Sequence, residues 1–291
     1  MPEILERASQ LAGSWYPGSA VEIEAEIGSW RDYARSFKPL PGPAVAAIAP
    51  HAGWFFSGRL AFASLSLALD SLEKGRPALI VVLGGHLGKG DPIIAFPEGA
   101  WSTPLGPVEL APGMNGELDG HELGHGIWSG PTGDNTIEVL LPLVKSLAPD
   151  SRVWALRVPP GPKALALGAR LAGLMAQKPG ETLILASTDL THYGRVYGFA
   201  PAGAADKGEE FRLKNDRTFI EPALALDPMA MMLAGIGNKA ACSAGAAAAA
   251  VEAARILGAR PRLLDHYSSF DVLPGEQSVG YAGLAFHLLG D

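Results

Sequence analysis

The chain has 291 residues, 48% of them hydrophobic, which is ample for a large packed core, and a net charge of −7, which argues against a nucleic-acid partner because phosphates attract basic faces. One cysteine excludes an internal disulfide and fits a reducing, cytoplasmic setting. The N-terminal stretch MPEILERASQ has no cationic start followed by an apolar core, and no uncharged apolar run reaches membrane-spanning length, so neither a signal peptide nor a membrane partner is expected.

Short apolar runs alternate with helical stretches along the chain. AVAAIA at 44–49 predicts a strand, 60–72 a helix, and ALIVVL at 78–83 a strand covered on both faces. IIAF at 93–96 and PVEL at 107–110 predict a hairpin or side ribbon, and 137–147 a helix despite Pro142. A strand follows at 153–158, a helix at 163–177, a strand at 182–186, and helices at 206–219 and 227–233. The alanine-rich 240–257 predicts a helix on propensity, and 262–265 and 280–288 predict closing strands. This alternation implies an α/β fold: a single layered domain over residues 1–291, with a central, mainly parallel sheet and helices on both faces.

Three strand ends share a pattern. AVAAIA leads into Pro50-His51-Ala52-Gly53, ALIVVL into Gly84-Gly85-His86, and TLILA into STDLTH, residues 187–192, which carries Asp189 and His192. Open α/β sheets bind ligands outside the carboxyl ends of their strands. Three imidazoles there suit a metal or a reacting proton, although each alone would serve as a loop hydrogen-bonding group. The neighbouring glycines would let backbone approach a ligand closely. Cys242 falls within the first turn of the alanine-rich helix, where the helix N-terminus would favour its metal-binding thiolate form; a buried core filler is the other reading. His121-Glu122-Leu123-Gly124-His125 matches the H-E-x-x-H pattern of zinc proteases, but the surrounding glycines disfavour the helix that this chemistry needs.

These residues carry a family resemblance. AGSWYP (12–17), PHAGWFFSG (50–58), GGHLG (84–88), WSTPLG (101–106), STDLTHYG (187–194), Cys242, SSFD (268–271) and VGYAG (279–283) stand in an order and spacing that resembles the Memo family, including AmmeMemoRadiSam system protein B. That family resembles the catalytic subunit of class III extradiol dioxygenases. The resemblance implies a class III extradiol dioxygenase-like fold and a metal site formed by His51, His86 and Cys242. It places His192 as acid/base, with Asp189 beside it orienting the ring or adding a ligand. The implied cofactor is Fe(II), with copper or zinc as alternatives, and the implied substrate is a small aromatic, catechol-like molecule. The family name adds AMMECR1-like and radical SAM proteins as partners.

Two departures stand out. A thiolate replaces the carboxylate ligand of the extradiol enzymes, and Asp134-Asn135-Thr136 replaces the family's usual Glu-His-Ser. Three readings follow from the resemblance and the residues together: a non-haem iron oxidoreductase, a non-catalytic metal- or peptide-binding adaptor, and a zinc-dependent hydrolase.

Overall fold

The structure, a computed structural model, describes residues 6–72, 77–119, 123–128, 130, 134–203 and 206–290. In chain order, β1 (Glu6–Arg7) and α1 (Ala20–Arg35) precede β2 (Ala44–Ala49), α2 (Trp54–Asp70) and β3 (Leu79–Gly84). Short strands follow: β4 (Ile93–Ala95), β5 (Ala100–Trp101), β6 (Val108–Glu109) and β7 (His125–Ile127). Next come α3 (Asn135–Glu138), α4 (Leu141–Leu147), β8 (Arg152–Arg157), α5 (Pro162–Gln177), β9 (Thr182–Ser187) and β10 (His192–Tyr193). The chain continues through α6 (Asp206–Leu224), α7 (Pro228–Gly237), α8 (Ala244–Ile256), β11 (Arg260–Ser268), α9 (Ser269–Val272) and β12 (Ser278–His287).

The main sheet runs β10-β12-β2-β9-β3-β8-β4-β7, with β11 also paired to β12. Its centre, β2-β9-β3-β8, is parallel throughout. Strands β12 and β4 join that centre antiparallel. The central strands are buried on both faces, so they read as continuous apolar runs. Alternate residues serve opposite cores. Ile48, Val81 and Ile184 pack toward α5, α6, α7 and α8, whereas Ala47, Val82 and Leu185 pack toward α1, α2, α3 and α4. The α8 alanines allow close helix packing: a Cβ on Gly168 of α5 would lie 2.5 Å from the Ala249 carbonyl oxygen.

Two expectations change. Residues 93–96 and 107–110 do not pair with each other: β4 lies between β7 and β8, and β6 pairs with β5 in a separate small sheet. The stretch 137–147 divides into α3 and α4, with Pro142 in the first turn of α4, where its missing N–H costs nothing. Among the described residues no helix is long and apolar enough to cross a membrane.

Candidate metal centre

Parallel strands β2, β9 and β3 lie side by side, so their carboxyl ends deliver His51, Asp189 and His86 to one edge of the sheet. The glycines before His86 serve packing more than ligand approach. A Cβ at Gly84 would overlap the Thr136 side chain, and one at Gly85, whose φ is +105°, would lie 2.7 Å from Arg157 Cβ. Thr136 Oγ1 accepts the Gly85 N–H at 2.7 Å, and Arg157 pairs with Asp134 at 2.6 Å. Asp134, Thr136 and Arg157 thereby brace the turn that carries His86. Asn135, between the first two, lines the neighbouring cavity.

The ligating atoms of His51, His86 and Cys242 all lie within 4.8 Å of one another. His51 Nε2 is 3.3 Å from His86 Nε2 and 3.2 Å from Cys242 Sγ. Ligands bound at about 2.0–2.3 Å and at a tetrahedral angle stand roughly 3.4 Å apart, so the spacing suits one ion. Ser187 Oγ, 2.8 Å from His51 Nδ1, fixes that ring with Nε2 toward the other two donors. The group could therefore hold a metal ion.

Burial, followed by His86 and His192, holds the His51 pKa well below its ordinary value. Desolvation also lowers that of His86, against the opposing charges of Asp134 and Asp189. Both rings are thus poised neutral, the form that binds metal. Cys242 differs from the sequence expectation. It lies before Ser243, the N-cap of α8, instead of inside the helix. Burial, and then the Asp189 charge, push its thiol up to about 12 in the absence of a cation. Metal binding would displace that proton. The Asp189 N–H, 3.3 Å from Sγ, already points a donor at the sulfur.

Asp189 is buried, and its Oδ1 accepts the backbone N–H groups of His51 at 2.7 Å and Ala52 at 3.2 Å. It thus anchors the chain just ahead of α2. The His192 ring is held instead by the Leu190 carbonyl, 3.1 Å from Nδ1, and by an edge contact with Tyr197 at 5.0 Å. A carbonyl only accepts, so Nδ1 carries the proton and the neutral ring offers Nε2 as a base.

His51, His86, Asp189 and His192 all line a cavity of about 570 Å³, within the size range of small-molecule sites. Trp15, Phe56, Tyr197 and Tyr281 supply aromatic walls, and the 273–277 loop closes one side. Trp15, Phe56 and Tyr281 belong to the sequence stretches that carry the resemblance; Tyr197 does not. Ser187 was visible as a polar strand end, but its role on His51 needed coordinates. The zinc-protease pattern is not on a helix where it can be followed. His125 begins β7, while His121 and Glu122 lie outside the described residues.

Comparisons with known proteins identify the family. Residues 7–285 match the family model described as Memo-like protein. A MEMO1 family protein of Thermococcus onnurineus is 32% identical over 96% of this chain and 99% of its own length. One from Thermococcus kodakarensis is 31% identical, covering 83% of this chain and 86% of its own. The crystal structure of the uncharacterized protein JW3007 from Escherichia coli K12 aligns with a TM-score of 0.51 at 12% identity. That alignment covers 83% of this chain and 99% of that one, and it supports the fold alone. With the matched region running almost end to end and both histidines and the cysteine gathered at the sheet edge, the chain belongs to the Memo family.

Proposed function

We propose that the chain is a non-haem iron-dependent oxidoreductase of extradiol dioxygenase type acting on a small, catechol-like aromatic. The observation that carries this reading is the convergence of the His51, His86 and Cys242 donors beside a cavity that His192 also lines. Fe(II) held by those three residues would supply Lewis acidity and redox chemistry while leaving coordination positions open. His192 Nε2 takes a proton from a catechol hydroxyl and later returns it. The walls of Trp15, Phe56, Tyr197 and Tyr281 hold the ring and limit water.

The charge of the cavity narrows the substrate. Among the described residues its lining carries Asp189 and Glu276 but no lysine or arginine. A substrate carboxylate would meet no counter-charge there, whereas an ammonium group would find ring faces and a carboxylate. Dopamine should therefore exceed 3,4-dihydroxybenzoate in kcat/KM by roughly tenfold. The reverse preference would reject this account of selectivity.

The direct test is metal analysis of protein purified without oxygen, followed by catechol-dependent oxygen uptake. Iron with uptake supports the reading. Protein that binds no metal, or takes up no oxygen with any catechol, moves the balance to the adaptor reading. His86→Ala should reduce metal affinity at least 10-fold while leaving the circular dichroism spectrum unchanged, because the residue sits on a loop. Wild-type metal retention in that variant removes His86 from the site.

A further inference from the structure

Behind the cavity, α6 touches both loops that carry the chemistry. Asn215 is buried and donates both of its amide hydrogens, to Thr191 Oγ1 at 3.0 Å and to the Asn238 carbonyl at 2.9 Å. Thr191 adjoins His192, and Asn238 stands four residues before Cys242. One helical side chain thus ties the proposed acid/base loop to the thiol loop. The two loops also meet directly: the Cys242 N–H reaches the Asp189 carbonyl at 3.1 Å, and Leu190 bridges Ala241.

Between Asn238 and that bridge lies Lys239, with φ at +51°. The left-handed region is unfavourable for a residue with a Cβ and persists only where the surroundings hold it. The Asn215 bond grips the peptide that precedes this turn. Asn238 Nδ2 adds a second tie to α6 through Thr218 Oγ1 at 3.2 Å. The turn reverses the chain from the end of α7 into 240–242, and so sets where Cys242 Sγ stands relative to His51.

We infer that Asn215 is a positioning residue: by holding the left-handed Lys239 turn, it aims Cys242 at His51 and His86 and keeps the thiol loop in register with His192. The inference deepens the metal reading above. Its core, the placement of the Cys242 side chain, is measurable without metal.

The test uses Asn215→Leu, which keeps the size and removes both donors, alone and combined with Lys239→Gly. Glycine adopts a positive φ without strain. Co(II) binding reads the site through the thiolate-to-metal charge-transfer band. Alkylation by iodoacetamide reads Cys242 placement in the metal-free protein, and it is specific because the chain has one cysteine. Asn215→Leu should weaken Co(II) binding roughly 10- to 100-fold and diminish the band. It should also raise the alkylation rate. The double variant should recover most of each loss.

Wild-type alkylation and Co(II) binding in Asn215→Leu overturn the inference. Loss without recovery in the double variant also overturns it, since the damage would then not pass through the turn. If the wild-type protein takes up no Co(II), the metal reading fails, and the alkylation rates alone still decide the role of Asn215. Asn215→Ala, read in the same way, replaces the leucine variant if that one does not fold.

Discussion

His192→Ala is expected to retain its metal and lose turnover by about 10²–10⁴-fold, the usual effect of removing a positioned acid/base. The geometry favours this outcome over loss of metal. Three donors already converge, and the His192 ring is tied by Nδ1 to the Leu190 carbonyl, apart from the His51, His86 and Cys242 group. Metal content by elemental analysis and oxygen uptake with a catechol would be read on the same preparation. If metal falls with activity, His192 is a ligand. If neither changes, the ring is only a loop hydrogen-bonding group, and the catalytic assignment is wrong. Asp189→Asn makes a useful companion. Its amide oxygen can still accept the His51 and Ala52 N–H groups, so activity should fall less than in His192→Ala.

Arg212→Met should be the most destabilising single change outside the apolar core. Arg212 is 2% exposed and Asp216 0%, and the two are ion-paired through Nη1 and Oδ2. Arg212 Nε also donates to Glu209 Oε1 at 2.8 Å. Asp216 further takes the His266 ring at 2.8 Å and the Thr191 N–H at 3.0 Å, so the pair buttresses the loop leading to His192. Removing only the cation strands a buried carboxylate, at a cost of about 3–5 kcal/mol. For a chain of this size that corresponds to roughly 5–8 °C in melting temperature. Replacing both charges with apolar residues should cost less than replacing the arginine alone. A loss below about 1 kcal/mol in the single variant would mean that the pair contributes little.

The same cluster has a pH signature. Burial works against the Glu209 charge, but Arg212 outweighs it and holds that carboxyl below its usual range. A carboxyl depressed in the folded state gives stability that is present above its unfolded pKa and lost as pH falls through the folded one. Arg212→Met should therefore flatten the acid side of the stability profile.

Much of this molecule was legible from local pattern. The runs 44–49, 78–83 and 182–186 are apolar because both of their faces are covered, and the structure makes strands of all three within about a residue. The histidines were legible because a polar cluster directly after a buried strand falls at the ligand-binding edge of such a sheet. Strand partnership was not legible for 93–96 and 107–110, since a strand of two or three residues carries no information about its neighbour. The state of Cys242 was also hidden. Proximity in sequence to α8 suggested a lowered pKa, but burial and Asp189, 53 residues away, act the other way. Least visible was the network on α6. DKGEEFRLKNDR, residues 206–217, has the composition of a solvated helix face, yet Arg212, Asn215 and Asp216 turn inward. The sequence by itself determined the strands, the sheet's ligand edge and the residue types offered there, because hydrophobic periodicity and strand-end chemistry are local. Only the tertiary structure decided which donors meet, what holds them and in which protonation state, because those depend on distances and desolvation between segments up to 191 residues apart.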